Sequence, residues 1–338
     1  MAVHAISRRL PWFWLLPLGT IAVVVAAVVT AIVLNSQQAI PSPGDLWAVT
    51  AFDAQHVIAV GGTVDDRGGL LVTRSEDAGA SWLISHPSAP ALVTVAAAGD
   101  HLLGATACLQ QRTDTGPIEP APNSCLYTSD DGGATWTDLA AGRLVDPSFA
   151  NASDGWAHPP VDPGIVAPAT LYSTANGGAS WQEAARPCGS DTPWIARAVL
   201  VGPQHGYVIC RGLPNTGSAY PWRLIELGRD GTVDVLLRGS TGDAGSPFGG
   251  DDLYGLMMLP DGHGFLLTST IYRTIDGGRN WTETPTGESR GAFEGGVIVS
   301  DSVAYVCLRA LGNYTRIYGT IDGGESWSLL GSWPFHWP

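Results

Sequence analysis

The sequence predicts an all-β chain, a six-bladed β-propeller after a single N-terminal transmembrane helix, on three observations. A turn motif recurs five times, and an apolar strand pair joined by a polar turn lies ahead of each copy. From residue 46 onward no stretch keeps helical periodicity over three turns, which removes α/β alternatives. Self-similarity at one period marks units that bury their faces only by stacking on one another.

Residues 1–11 read as a cytoplasmic tail carrying Arg8 and Arg9. Residues 12–34 hold no charge, and 23 residues at 1.5 Å each span a hydrocarbon core of about 30 Å. The run is too long for a signal-peptide core, so it is expected to stay as an anchor. Both tail arginines precede it, which places the N-terminus inside and everything after Asn35 outside the cell membrane, a single-pass topology. Residues 35–45, with two prolines, form a linker to the propeller at 46–338.

The motif reads hydroxyl, any residue, Asp, any residue, Gly, any residue, hydroxyl, Trp. Its copies begin at Ser75, Ser129, Thr174, Thr274 and Thr320, with Asp77, Asp131, Asn176, Asp276 and Asp322 as the acidic or amide member. Trp82, Trp136, Trp181, Trp281 and Trp327 close them. An Asp or Asn bonds its own backbone two residues on, and Gly supplies the positive φ of a tight reversal, so each copy predicts a hairpin turn. The Trp then opens the next strand with a large face to bury.

The tryptophans stand 54, 45, 100 and 46 residues apart, so the long interval holds two periods. Midway through it, Trp222–Leu227 and Val233–Leu237 flank Gly228–Thr232, a strand, turn and strand where the motif has decayed. That gives six repeats of four short strands, the arithmetic of propeller blades.

The motif is that of the Asp box, and the chain resembles the Asp-box (BNR-repeat) β-propellers over roughly residues 46–331. This sialidase-like group includes sialidases, sortilin-type receptors, some glucanases and photosystem II assembly-factor-like proteins. The resemblance implies boxes on the outside of the blades, away from the ligand site, and ligands near the axis on the opposite loop face. It also keeps seven blades open as an alternative, with the aromatic tail 332–338 as possible extra strand.

Without its tail the chain has 15 arginines against 31 acidic residues, a net charge of −16, which argues against nucleic acid as a partner. There is no lysine, and the Ala, Gly and Arg content suggests a GC-rich bacterial genome. In an exported domain the five cysteines can pair. Cys108 and Cys125 bracket the loop 109–124, Cys188 and Cys210 flank a strand pair, and Cys307 lies inside an apolar run as a buried thiol.

The longest loops fall on the predicted axial face. They nominate Asp65, Asp66, Arg67, Arg112, Asp191, Trp194, Arg211, Asp251, Asp252 and Arg290 as ligand-binding residues, with Tyr220, Trp222 and Phe248 as further stacking surfaces. No sialidase catalytic residue carries over: neither Arg67 nor Arg74, the arginines ahead of the first box, is followed by Ile-Pro. No catalytic, metal or cofactor motif is found. The function expected is a non-catalytic binding or assembly scaffold that takes a protein or glycan partner. A carbohydrate-active or lectin-like module is the alternative.

Overall fold

A computed structural model of the chain describes residues 44–63, 69–108, 124–160, 169–214, 219–228, 230–248, 250–287, 291–310 and 314–334. The anchor 12–34 and most of its linker lie outside them. Among the described residues no helix is long and apolar enough to cross a membrane.

Among the described residues twenty-four strands form six antiparallel sheets of four, each in sequence order. The first sheet is β1 (Gly44–Ala51), β2 (Val57–Thr63), β3 (Leu70–Ser75) and β4 (Leu83–Ser85). The second is β5 (Thr94–Ala98), β6 (His101–Ala105), β7 (Leu126–Ser129) and β8 (Thr137–Asp138). The third is β9 (Val145–Phe149), β10 (Gly155–His158), β11 (Leu171–Thr174) and β12 (Gln182–Ala185). The fourth, β13 (Trp194–Gly202), β14 (His205–Arg211), β15 (Pro221–Leu227) and β16 (Val233–Ser240), is the blade with the decayed motif. The fifth is β17 (Gly255–Met258), β18 (Gly264–Leu267), β19 (Ile271–Thr274) and β20 (Thr282–Thr284). The sixth is β21 (Gly291–Ile298), β22 (Ala304–Ala310), β23 (Tyr314–Thr320) and β24 (Ser328–Pro334).

The first strands of the sheets lie side by side in a closed ring, with β1 touching both β5 and β21. The structure is therefore a six-bladed propeller. The described part of the tail, 332–334, belongs to the sixth blade, because 328–334 is its outer strand, paired with β23. Hydroxyls stitch the inner ring: Thr50 Oγ1 accepts from Ala97 N at 3.2 Å and Ser148 Oγ from Leu200 N at 3.1 Å.

Each repeated turn joins the third and fourth strands of its blade. In the first, Asp77 accepts from Ser81 N at 2.8 Å and Ser81 Oγ at 2.6 Å, while Ser75 Oγ accepts from Gly79 N at 2.7 Å. The same bonds recur around Asp131 and Asp322, and Asn280 replaces the hydroxyl at Asp276. The glycine at the fifth position has φ between 82° and 90° in all five copies, a region that L side chains rarely adopt. A Cβ there would also strike the preceding blade, 2.5 Å from Leu103 Cδ2 at Gly178 and 2.5 Å from Phe265 Cε1 at Gly324.

The motif tryptophans are half-buried, and each packs on the preceding blade. Trp136 joins the cluster of Val72 and Leu102, Trp281 that of Leu224 and Phe248, and Trp327 lies edge-on to Phe265 at 5.4 Å. Trp82 closes the ring: its ring meets that of Trp333 at 5.4 Å, and its Nε1 donates to Leu330 O at 3.1 Å. Among the described residues no strand is exchanged between the first and last blades, which side chains join. Tyr305 Oη donates to Ala54 O at 2.6 Å, and Leu46, Val49, Leu71, Cys307, Ile317 and Trp333 share one cluster.

The fourth blade has no motif tryptophan, and the Cys188–Cys210 disulfide lies in the core between it and the third blade. Cys188 belongs to the connector after β12 and Cys210 to β14, so the bond ties that connector to the blade. Cys108 and Cys125 are also bonded, with Cα atoms 5.5 Å apart, and Cys307 is a free, buried thiol. Breaking Cys188–Cys210 with paired alanines is expected to cost about 2 to 4 kcal/mol. Denaturant unfolding checks this, and a loss under about 1 kcal/mol would show that apolar packing alone seats the blade.

Candidate functional site

In an antiparallel meander, the start of the first strand shares an end with the loop between strands two and three and with the connector to the next blade. The repeated turns lie at the other end, where Ala78 N donates to Gln55 O at 3.0 Å and Gly277 N to Gly262 O at 3.0 Å. The six inner strands enclose a channel of about 340 Å³ along the axis. Its wall is mostly small or apolar, but Asp146, Arg197 and Glu294, near the starts of β9, β13 and β21, place charge at the loop end.

Local backbone features set these three groups. Asp146 has φ 51°, a left-handed conformation that non-glycine residues seldom hold. Glu294 is the extra residue of a β-bulge, between the pairs Phe293–Leu308 and Gly295–Cys307, and a bulge re-aims the side chain it carries. Arg197 follows a bulge at Ala196.

Arg197 holds the cluster together. Its Nη1 donates to Asp146, its Nε to Tyr254 O at 2.8 Å and its Nη2 to Glu294 O at 3.4 Å. His158, 4% exposed, brings Nε2 to 3.5 Å from Asp146. Burial pushes the Asp146 carboxyl up, but Arg197 and His158 more than offset this and hold it at about 2. Glu294 goes the other way: burial raises its carboxyl, and Arg309, whose Nη1 donates to it at 3.4 Å, only partly opposes the rise. Burial also raises the Tyr254 phenol, with the carboxylates of Asp252, Asp251 and Glu294 adding to the shift.

The rim holds the nominated residues that the structure describes. Arg211 donates to Asp252 at 2.8 Å and lies 4.5 Å over the Tyr220 ring, yet stays 30% exposed. Asp191 pairs with Arg223, and Asp251 accepts from Ser269 Oγ. Trp194 is 8% exposed, so its ring faces the core rather than a stacking ligand. Trp222 and Phe248 are likewise buried, stacked at 5.5 Å between blades four and five. Asp65, Asp66, Arg67, Arg112 and Arg290 lie outside the described residues.

Sequence reasoning nominated none of Asp146, Arg197 and Glu294 as ligand-binding residues. The available signal was a lone charge inside an inner-strand run, as in Ile195-Ala196-Arg197-Ala198-Val199. Among the described residues no cluster of His, Cys, Asp and Glu suits a metal ion.

No family model and no curated protein matches the chain. Solved structures do. A mutant of the Aleuria aurantia lectin in complex with Fucα1-6GlcNAc is similar at TM-score 0.55 and 12% identity, over 88% of this chain and 97% of the lectin. The SapL1 lectin in complex with α-methyl fucoside gives 0.53 and 13%, over 86% and 96%. The GH74 xyloglucanase of Xanthomonas campestris gives 0.51 and 14% over 85% of this chain, which spans about half of that enzyme, 47%. At these identities the likeness shows the fold, and the six-bladed propeller stands on it.

Proposed function

We propose that the chain is a membrane-anchored, extracytoplasmic scaffold of the Asp-box kind, taking a protein or glycan partner on its axial loop face. Arg211 carries the reading. A salt bridge and a ring contact fix its guanidinium while nearly a third of it stays open, so it meets a partner with little further ordering. The anchor rests on the uncharged run 12–34 behind Arg8 and Arg9.

Carbohydrate chemistry is the second reading. One cavity holds a carboxyl raised by burial, Glu294, beside one held low by an arginine, Asp146, and such a split separates acid from base in glycosidases. Both carboxylates are, however, tied to arginines, which favours binding over turnover.

Purified full chain is expected to leave a fluorogenic sialoside intact. Its affinity for a partner isolated on it should fall about tenfold or more in Arg211→Glu, which sets a carboxylate against Asp252. Sialoside turnover abolished by Glu294→Gln would replace the scaffold with an enzyme.

A further inference from the structure

We propose that the loop-side mouth of the axial channel is a pocket for an uncharged, hydroxyl-rich ligand, the terminal sugar rings of a neutral glycan, held by Asp146, Arg197 and Glu294. The inference rests on the axial face being the binding face and adds the ligand class and the residues that read it.

Arg197 is matched by Asp146, and Arg309 is shared by Glu294 and Asp45, so the mouth leaves no arginine unmatched and keeps one carboxylate in excess. A carboxylate entering it would meet like charge, and a carboxylate or an ammonium alike would bring a charge that loses its hydration on partly buried ground. A hydroxyl brings none.

The mouth also keeps unused hydrogen-bonding capacity. Arg197 spends one N–H from each of its three nitrogens, leaving a second proton on both terminal ones. Asp146 accepts from Arg197 on Oδ2, with His158 Nε2 3.5 Å from that oxygen, and Glu294 accepts from Arg309 on Oε1. Among the described residues no hydrogen bond ends on Asp146 Oδ1 or Glu294 Oε2. Spare donors and acceptors side by side suit adjacent hydroxyls, each of which donates and accepts at once.

A channel of about 340 Å³ sits at the small end of the roughly 300 to 1,000 Å³ common for ligand sites, room for a chain end and not for a folded partner. Val199 and Val297 give it apolar wall for the C–H faces of a ring. The bulge at Glu294 and the left-handed backbone at Asp146 fix two of the three groups in place.

The test uses the full chain with cellotetraose, mannotetraose and α-methyl fucoside as neutral probes. Trigalacturonate and an oligolysine peptide serve as charged ones. At least one neutral probe should bind, changing less than about twofold between roughly 0.05 and 0.5 M salt, since no net charge is engaged. Its affinity should fall about tenfold or more in both Glu294→Gln and Arg197→Lys, with Ile321→Ser on the opposite face as the folded control. Glu294→Gln keeps the size of the side chain and a carbonyl for Arg309, and the salt series needs no variant at all.

Retention of no neutral probe, or neutral binding that both substitutions leave intact, overturns the pocket. Binding of a charged probe alone, weakened by salt and by Arg211→Glu, discards the neutral pocket and keeps the axial face.

Discussion

Trp333→Ala is expected to destabilise the protein by about 3 to 5 kcal/mol, the range for deleting a large buried aromatic. Trp333 is 2% exposed and lies edge-on to Trp82 across the seam between the last and first blades. Among the described residues that seam has no exchanged strand, and side chains tie it: Trp82 Nε1 to Leu330 O, Tyr305 Oη to Ala54 O, Thr315 Oγ1 to Asp45 and Cys307 Sγ to Leu46 O, beside the shared apolar cluster. Emptying its centre leaves facing walls that each belong to a complete sheet and cannot collapse far. Urea unfolding measures the loss. Leu329→Ala, four residues away and 53% exposed, should stay within about 0.5 kcal/mol. Equal effects from the two would show that Trp333 does not close the ring.

Arg197→Met should cost about 3 kcal/mol, the lower end for breaking a buried pair, because Arg197 keeps 29% of its side chain exposed. The change strands the Asp146 carboxylate and removes the donor to Tyr254 O. It should also alter acid stability. The Asp146 carboxyl falls from its ordinary 3.8 to about 2 on folding. Its contribution is therefore present above about pH 4 and lost as the pH falls through about 2. Asp131 and Asp276, also held at about 2 by bonds within their turns, share that window and remain in the variant. Unfolding free energy measured from pH 5 to pH 2 should then fall less steeply in Arg197→Met than in the parent. Identical slopes would place Asp146 outside the acid response.

The fold was legible because its punctuation is local. An Asp that bonds four residues ahead, a glycine at positive φ and a Trp to follow are all written within eight residues, so five blades announce themselves. The fourth blade was recoverable because Gly228–Thr232 keeps turn chemistry: Asp230 accepts from Thr232 N at 3.0 Å after the tryptophan is gone. The disulfides were readable because each pair brackets one stretch of chain.

The site was less legible, and for the opposite reason. Asp146, Arg197 and Glu294 come from three blades and meet only because the ring closes. A single charge in an apolar strand gives no hint of which neighbours it will find across the axis. Trp222 and Phe248 misled for a related reason: an aromatic in a polar loop looks the same whether it faces a ligand or, as here, fills the wedge between blades. Trp194 begins an inner strand, and that position buries it.

The claim that binding uses the axial face is tested most directly by site-specific photo-cross-linking in native membranes. A photo-reactive residue in place of Tyr220 lies on that face, and one in place of Ile321, 82% exposed in a repeated turn, lies on the other. The account predicts adducts from position 220 and none from position 321. Adducts from 321 with none from 220 would contradict it.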